Sequence, residues 1–439
     1  MHVRLGVGTL AVLLCACSGG SGGGTAGGGS GNAGGSGATA GGTASASGPF
    51  LIRRDVNSGS ARLVVDGQGV THLVAAPGAI DAPGGAKVTY GRCASGCESA
   101  SGWSFVDIGD GALADQTALA LGPNGALHAA YLVQGSVVLS TCTSSCLTAA
   151  SWSLDPLSAP MDQQWRGFPR GRTFVVDAMG RQRLLIRGTV GGSNALLLLG
   201  NDGAGWGAGP LFNGQYEAAT LTLRGATGVA MLGVPSIANG YSYAECTTAC
   251  ALPMSWAATP AVLPGAAYEV ALTSDASGRL HAGILTGSSL SYATCSQGCA
   301  MGASWSTTNL GADTSALGGV DLAVSSAGAV GLVSSTVTSE TQSVTFRSCS
   351  GNCTASGSWS SLPAIEPSSL TAPFPTQSPV NCNGESSLRV WSLGVTPRVV
   401  PRGSAWLVAY DATEYARCLS TTTGTFTGGD RFVRVHGLP

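Results

Sequence analysis

The stretch Ser289–Trp305, SLSYATCSQGCAMGASW, contains the pattern that decides the fold of the whole chain. Two cysteines stand four positions apart, and a tryptophan follows the second cysteine by six positions. Four further segments repeat this spacing, each with its own residues: Cys93, Cys97 and Trp103; Cys142, Cys146 and Trp152; Cys246, Cys250 and Trp256; and Cys349, Cys353 and Trp359. The chain is therefore an array of repeated units.

The length and composition of one unit indicate β-structure. With Trp206 included, the marker tryptophans recur every 49 to 54 residues, a period typical of propeller blades or helical arrays. The quoted unit has short apolar runs at Val270–Leu272 and Leu280–Leu285, a turn between them, and the alternating run Leu290–Thr294. Helical arrays need longer stretches free of turns. Each unit is therefore predicted to be a four-stranded antiparallel meander.

A glycine marks the first turn of most units and usually follows an Asp or Asn by one to three positions. It recurs as Gly69, Gly125, Gly180, Gly278 and Gly328. Such a position predicts a positive φ, which glycine adopts without steric cost. A single meander has two open edges and little core, so the units must pack side by side, and closure into a ring hides their edges.

The folded region accommodates seven such units, and we predict an all-β, seven-bladed propeller. The units lie near residues 61–110, 115–160, 172–214, 218–263, 268–312, 318–363 and 385–437. The short strand Phe50–Arg53 is expected to complete the last sheet, so that both chain ends share one blade. A six-bladed ring with a separate C-terminal piece is the main alternative.

Residues 1–16 have the plan of an export signal, with a basic start at Arg4 and an apolar core too short to cross a bilayer as a helix. The run Leu14–Cys17 resembles the lipobox of bacterial lipoproteins. This resemblance implies that Cys17 is the lipid-attachment site and carries fatty acids such as palmitate. Cys15 is an alternative attachment site, and an ordinary cleaved signal peptide is an alternative to the lipoprotein signal.

Residues 17–48 form the anchor and a linker composed almost wholly of Gly, Ser, Ala and Thr, which predicts a flexible tether. The propeller domain then occupies residues 49–439. By resemblance to Gram-negative lipoprotein sorting, Ser18 is not the aspartate that retains lipoproteins at the inner membrane. This points to the outer membrane and leaves open whether the domain faces the cell surface or the periplasm.

Twelve cysteines lie in the folded region, which indicates disulfides in an oxidising compartment. The five CxxxC motifs are expected to close locally. Cys382 and Cys418 remain, and we predict that they pair. A zinc site would need four ligands in one place, whereas a ring puts the five motifs on five blades, so neither a metal nor another cofactor is expected.

Composition excludes some functions. A net charge of −2 with only 10% charged residues lacks the basic surface of a nucleic-acid binder. The histidines of three units stand three positions after the turn glycine, where other units have Arg, Met or Trp: His72, His128 and His281 against Arg183, Met231 and Trp406. Because this position tolerates such exchange, we expect its histidines to have a structural role. Each would bond to a neighbouring turn, and the three would not share a metal site.

The third unit departs most from the pattern, because it lacks both cysteines and its loop before Trp206 is shorter. Before it runs the longest connection between units, Asp155–Arg172, which is unusually rich in aromatic residues and arginines. Candidate ligand-binding residues there are Trp165, Arg166, Phe168 and Arg170, since Trp and Arg can stack on a sugar or anchor a protein partner. In the alternative interpretation Trp165 and Phe168 are local core and the arginines are solvated.

The units resemble the BNR repeats of sialidase-like propellers in length and in turns such as Asp177–Gly180. Here two residues stand between Asp and Gly where that family has one, and the catalytic residues of sialidases have no counterparts, so no catalytic residue is assigned. No GxSxG, HExxH or nucleotide-binding pattern occurs. The favoured function is a non-catalytic cell-surface lipoprotein that binds a glycan or protein partner through propeller loops. A glycoside-cleaving enzyme with diverged repeats, sialidase-like or of another kind, is the alternative.

Overall fold

The computed structural model describes residues 50–51, 61–76, 87–110, 117–236, 240–263, 265, 267–287, 289–312, 318–337, 342–362, 387–393, 396–418, 426–427 and 431–438. Their strands form seven antiparallel sheets, the seven blades of a propeller. The signal and linker predicted at residues 1–16 and 17–48 lie outside the described residues.

Blades 1 to 6 follow one another along the chain. Their strands are, in blade 1, β2 (Arg62–Val65), β3 (Thr71–Ala75), β4 (Lys87–Cys93) and β5 (Trp103–Asp110); in blade 2, β6 (Thr117–Leu121), β7 (Leu127–Val133), β8 (Ser136–Cys142) and β9 (Ser153–Leu157); in blade 3, β10 (Gln163–Gly167), β11 (Phe174–Val176), β12 (Gln182–Val190), β13 (Ser193–Asn201) and β14 (Trp206–Asn213); in blade 4, β15 (Tyr216–Arg224), β16 (Gly228–Pro235), β17 (Tyr241–Cys246) and β18 (Ala257–Leu263); in blade 5, β19 (Ala267–Ser274), β20 (Leu280–Thr286), β21 (Ser289–Cys295) and β22 (Ser306–Ala312); and in blade 6, β23 (Val320–Val324), β24 (Val330–Val337), β25 (Gln342–Cys349) and β26 (Ser360–Ser361).

Blade 7 combines the two ends of the described chain. It contains β1 (Phe50–Leu51), β27 (Ser387–Leu393), β28 (Arg398–Arg402), β29 (Ala405–Cys418), β30 (Phe426–Thr427) and β31 (Arg431–Leu438). Six single 3₁₀ turns complete the regular structure of the described residues: Ala100–Gly102, Pro123–Gly125, Ala149–Ser151, Pro253–Ser255, Gly302–Ser304 and Ser356–Ser358. No helix of the described part is both long and apolar enough to cross a membrane.

The innermost strand of each blade packs against the innermost strands of the two neighbouring blades. In order round the ring these strands are β2, β6, β11, β15, β19, β23 and β28, and β28 returns to β2. The ring therefore closes with seven blades, as predicted, and the six-bladed alternative is excluded.

The chain ends meet in blade 7. Phe50 pairs with Val435 and Leu51 with Arg434, so β1 is the outer strand of the last sheet, as expected from the sequence. β29 is unusually long, because β28 pairs with its first half and β27 with its second half. Cys418 therefore lies at the end of the second strand of this blade. Cys382 is outside the described residues, so its disulfide with Cys418 stays a prediction.

The two faces of the ring differ in what they carry. Every inner strand begins at the face that we call the entry face, where Arg62, Thr117 and Arg398 lie. It ends at the opposite face, which carries the first turns, such as 66–70, and the CxxxC loops, such as 94–102. We call this the disulfide face.

The first turns have the predicted geometry. Gly69, Gly125, Gly180, Gly278 and Gly328 all have φ between +77° and +81°. In blade 5 the Asp275 carboxylate accepts hydrogen bonds from the backbone N–H groups of Ser277 and Arg279, and Asp66 and Asp177 do the same in blades 1 and 3. The turn aspartates are therefore structural.

All five CxxxC pairs form disulfides, as predicted. In each loop the marker tryptophan donates its indole N–H to the carbonyl oxygen of the second cysteine. The tryptophan also packs on the preceding blade: Trp152 contacts Tyr90 at 5.1 Å between ring centroids, and Trp305 contacts Tyr243 at 6.1 Å. Each disulfide loop thus stabilises a seam between two blades, beyond the local order that its short span suggests.

The repeated histidines are part of the same scaffold. His281 contacts the Tyr292 hydroxyl through Nδ1 at 2.6 Å and Asp275 through Nε2 at 3.3 Å, and His72 joins Tyr90 to Asp66 in the same way. Both histidines thus bond the first turn of their own blade, in the structural role that was expected, whereas His128 contacts Thr141 and, in the next blade, Gln182. Burial comes first among the causes that lower the pKa of both imidazoles. Within the described residues no group of three or more His, Cys, Asp or Glu side chains is arranged to hold a metal.

Candidate functional site

The inner strands enclose a cavity of about 200 Å³ along the axis of the ring. Its wall is largely apolar, with Leu119, Leu223 and Leu272 among the lining residues. Three arginines, Arg62, Arg172 and Arg398, also line it at the entry face. The described part of this face therefore contains an apolar channel with arginines at its mouth.

The segment Arg170–Arg172 delivers two arginines to this mouth. In blade 3 the inner position is divided between β10 and β11, and the chain between them bulges towards blade 4. There the N–H of Arg170 donates to the Glu217 carbonyl, and the Arg172 carbonyl accepts from the N–H of Leu221. Gly171 has φ +121°, and a Cβ at this position would lie 2.5 Å from the Ala219 carbonyl oxygen. Glycine is therefore required between the two arginines.

Arg172 reaches across the ring. Its Nε and Nη2 donate to the two oxygens of Asp321, in blade 6, at 3.2 and 3.0 Å. Nη2 also donates to the carbonyl oxygen of Val399, in blade 7, at 2.7 Å. The N–H of Val399 donates to Asp321 in turn. One side chain thus joins three blades at the mouth of the channel.

Arg170 makes the matching contact with blade 5. Its Nε donates to Glu269 Oε2 at 2.6 Å, and its guanidinium carbon lies 5.8 Å from the centre of the Tyr268 ring. The ion pairs Arg170–Glu269 and Arg172–Asp321 are oriented alike. The arginine side chains are 32% and 29% exposed, whereas those of Glu269 and Asp321 are 4% and 2% exposed. The mouth therefore presents guanidinium groups to solvent and keeps its carboxylates behind them.

The two buried acids have opposite electrostatic behaviour. Burial raises the pKa of Glu269 to about 7, against the lowering effect of Arg170, Arg398 and Arg62. Burial also opposes ionisation of Asp321. There the charges of Arg172 and Arg398, together with the hydrogen bonds from Arg172 and Val399, outweigh it and lower the pKa. At neutral pH Asp321 is ionised, whereas Glu269 titrates much closer to neutrality than an exposed glutamate.

Arg62 and Arg398 complete the cluster from blades 1 and 7. Both are buried. Arg62 donates from Nε to the Thr117 carbonyl, and Arg398 donates to the Pro397 carbonyl. With Arg170 and Arg172 they place four guanidinium groups around two carboxyl groups. Asp411, a third buried acid, accepts a hydrogen bond from Thr396 near Arg398, so the described part of the entry face brings four guanidinium groups and three carboxyl groups together.

A second cavity, of about 190 Å³, lies on the same face between blades 3 and 4. Arg166, Arg187, Asn194 and Gln215 are among its lining residues. Arg187 bonds Glu217 at 2.7 Å, and the backbone carbonyl of Glu217 holds Arg170. Hydrogen bonds through Glu217 thus link a wall residue of this cavity, Arg187, to the segment Arg170–Arg172.

The structure separates the four candidate residues read from the sequence. Trp165 and Phe168 are buried in the hydrophobic core between blades 2 and 3. Blade 3 has no disulfide loop, and these two side chains fill the space that such a loop fills in other blades. Arg166 is exposed and donates to Asn194, and Arg170 lies at the mouth. The two arginines remain candidates for ligand contact, while the aromatic residues stabilise the seam.

Sequence reasoning did not single out the other mouth residues, Arg62, Arg172, Glu269, Asp321 and Arg398. One feature of the sequence could have pointed to these residues, namely their position along the units. In a chain with few charged residues, all five lie within three positions of the start of an inner strand. Their convergence needed the closed ring.

No family model matches the chain, and no curated protein is significantly similar to it. Several solved structures are similar at low identity. A polysaccharide lyase of family PL25, an ulvan lyase, has 10% identity and a TM-score of 0.48 over 87% of this chain and 96% of that one. The NanB sialidase of Streptococcus pneumoniae has 8% identity and a TM-score of 0.41 over 89% and 70% of the two chains.

The Hadza microbial sialidase Hz136 has 12% identity and a TM-score of 0.43, and the match covers 65% of each chain. The chain thus spans about two thirds of the length of that sialidase. At these values the similarity carries no information about the chemistry at the channel mouth, and the assignment of a seven-bladed propeller rests on the sheets themselves.

Proposed function

We propose that this protein is a non-catalytic binding protein that holds an acidic group of a glycan at Arg170 and Arg172. The observation that carries the proposal is the orientation of the two ion pairs, with arginines outward and acids buried. Arg170 uses only Nε for Glu269, and its terminal nitrogens make no hydrogen bond within the described part of the chain. They can therefore donate to a carboxylate or sulfate.

The enzyme alternative has one observation in its favour. A carboxyl group with a pKa of about 7, such as Glu269, is suited to general acid catalysis. Glycoside cleavage needs two carboxyl groups that reach the substrate, but the carboxyl groups of Glu269 and Asp321 are both buried behind arginines. The geometry therefore favours binding over cleavage.

The proposed setting is an exported lipoprotein of the outer membrane, anchored at Cys17 and spaced from the lipid by the linker 18–48. Cys17→Ala should release a folded domain from the membrane fraction, because a Cys-linked lipid is the one hydrophobic attachment that the sequence supplies. A variant that still sediments with membranes would contradict the anchor. Thiol labelling of the exported protein should also find no free cysteine after residue 17.

The binding proposal is tested with two variants that keep the fold. In Glu269→Gln both arginines remain and the buried carboxyl becomes neutral. In the double variant Arg170→Gln/Glu269→Gln the outward guanidinium is lost as well, and no buried charge is left unpaired. Calorimetry with polygalacturonate should show at least tenfold weaker binding for the double variant than for Glu269→Gln, and no binding of fully methyl-esterified polygalacturonate by either.

Salt dependence and product analysis complete the test. Binding through guanidinium groups should weaken from 50 to 300 mM NaCl, since the contacts are partly exposed. Equal affinity of the two variants would refute the site at the mouth. Release of reducing ends during prolonged incubation would favour the enzyme, and binding of an envelope protein in place of acidic polysaccharides would favour a protein partner.

A further inference from the structure

The cavity between blades 3 and 4 has a polar wall with small residues between its side chains. Its volume is about 190 Å³. Two arginines, two amides, three small residues and one tyrosine line it: Arg166, Arg187, Asn194, Gln215, Gly188, Ala195, Gly214 and Tyr216. The lining therefore contains two guanidinium groups and no carboxyl group, and the small residues leave room between the polar side chains.

A β-bulge places Arg166 in this wall. β10 pairs with β12 through Trp165 and Gly167, and the register shifts between them, so that Arg166 has no partner residue on β12. The extra residue of a bulge departs from the regular alternation of a strand, and its side chain is aimed anew. Trp165 and Gly167 are buried, whereas Arg166 is exposed. Its Nη1 donates to the side-chain oxygen of Asn194 at 3.3 Å.

Arg187, the second arginine of the wall, is fixed through one of its terminal nitrogens. Nη1 donates to Glu217 Oε2 at 2.7 Å, and the side-chain amide of Gln215 donates to Oε1 of the same carboxylate. Nη2 of Arg187 makes no hydrogen bond within the described residues. The arginine side chain is 31% exposed. Nη2 is therefore positioned to donate to an acidic group in the cavity.

The charges at this cavity favour an anion. Among the described residues that line the cavity or bond its arginines, Arg166 and Arg187 carry positive charges and Glu217 carries the one negative charge. Both oxygens of the Glu217 carboxylate already have donors, in Arg187 and Gln215. One positive charge therefore stays uncompensated, and an acidic ligand group would balance it.

The cavity lies close to the mouth of the channel. Arg166 precedes Arg170 by four residues, so their Cα atoms are at most about 14 Å apart. The two places also share Glu217, whose backbone carbonyl accepts from the N–H of Arg170 and whose carboxylate bonds Arg187. One extended chain of a few sugar units can therefore reach both.

We propose that Arg166 and Arg187 hold a second acidic group of the same polysaccharide in the cavity between blades 3 and 4. The proposal rests on the proposed function, in which Arg170 and Arg172 hold the first acidic group at the mouth. The ligand is then a polyanion with repeated carboxylate or sulfate groups, and a single acidic sugar fills one of the two places. Two linked contacts bind more tightly than either alone, because the second forms within the complex.

The length of the oligosaccharide tests the second place. Calorimetry with digalacturonate and hexagalacturonate should show that the longer oligomer binds the unsubstituted protein about tenfold more tightly or better. In Arg166→Gln this ratio should fall to about twofold, because the contact beyond the mouth is weakened. Arg279→Gln is the matched control. It removes one charge from an exposed arginine in the first turn of blade 5, on the disulfide face, and should keep the full ratio.

A double variant separates the guanidinium contact from net charge. Arg187→Gln/Glu217→Gln removes one charge of each sign and leaves the backbone carbonyl that bonds Arg170 in place. It should reduce the length ratio as Arg166→Gln does, and unchanged melting temperatures confirm the fold of each variant.

The outcomes distinguish this inference from the proposed function. If neither variant at the cavity changes the ratio, the second place is refuted, and the mouth stands as long as Arg170→Gln/Glu269→Gln weakens binding of both oligomers compared with Glu269→Gln. If the unsubstituted protein binds no oligogalacturonate, the mouth proposal is refuted and the second place with it.

Discussion

The disulfide face and the entry face differ in whether their main residues belong to the repeat. On the disulfide face one device is repeated five times, a disulfide loop whose tryptophan packs on the preceding blade. On the described part of the entry face the charged residues follow no repeat: arginines from blades 1, 3 and 7 surround acids from blades 5 and 6. The repeated elements of this chain therefore carry the fold, and the departures from the repeat carry the candidate site.

Blade 3 both lacks a repeated element of the disulfide face and supplies charged residues to the entry face. It lacks the disulfide, and Trp165 and Phe168 fill the seam that the loop stabilises elsewhere. The same irregular segment continues into Arg170 and Arg172 at the mouth. The loss of a repeated element and the gain of charged side chains at the channel therefore occur in one stretch of chain.

The largest effect is expected from a marker tryptophan of the disulfide face. Trp305 is buried between blades 4 and 5, and its N–H bonds the Cys299 carbonyl at 2.8 Å. Trp305→Ala should lower the free energy of unfolding by about 3–5 kcal/mol, through lost packing and a cavity. Thermal denaturation measures this. Trp206→Ala, at a half-buried tryptophan outside any disulfide loop, should cost clearly less, and equal losses would contradict the special role of the loops.

The next effect concerns the buried acid of the entry face. Because the pKa of Glu269 is about 7 in the folded protein and lower in the unfolded chain, the folded state binds more protons between about pH 4.5 and 7. Stability should therefore fall as pH rises through this window, by about 3 kcal/mol from this group. Glu269→Gln should remove that part of the slope in denaturant unfolding at each pH. An unchanged slope would show that Glu269 ionises normally.

A smaller effect is expected from the strained glycine of the mouth. Gly171→Ala places a Cβ against the Ala219 carbonyl at a φ of +121° and should cost about 1–3 kcal/mol. It should also weaken binding of the acidic polysaccharide, since both flanking arginines would shift. Gly192→Ala, in a turn of the same blade with open space around its Cα, is the control for positive φ alone. Equal affinity of the two variants would show that the bulge does not position the arginines.

The last effect, of a size similar to that of Gly171→Ala, belongs to one disulfide. The double variant Cys295→Ser/Cys299→Ser opens a loop of five residues, and chain entropy predicts a loss of about 2 kcal/mol. The Trp305 seam should persist, so unfolding stays cooperative with a lower midpoint. A loss as large as that of Trp305→Ala would mean that the disulfide, and not the tryptophan, holds the two blades together.

Much of the fold followed from the sequence because its determinants are local and repeated. The cysteine spacing in Ser289–Trp305 determined the disulfides, the glycines such as Gly278 determined the first turns, and the period determined the blades. Seven units with the strand Phe50–Leu51 closing the last sheet were predictable for the same reason. The histidine position was recognised as structural because His281 is replaced by Met231 or Trp406 in other units.

The candidate site was decided by the tertiary structure alone. Arg172 and Asp321 are 149 residues apart, and Arg170 and Glu269 are 99 apart, so no local pattern connects them. Only ring closure brings the starts of distant inner strands to one mouth. Burial then decides which partner faces solvent, since it keeps the carboxylates inside and leaves the guanidinium groups outside. That choice depends on packing from several blades, which a single sequence does not display.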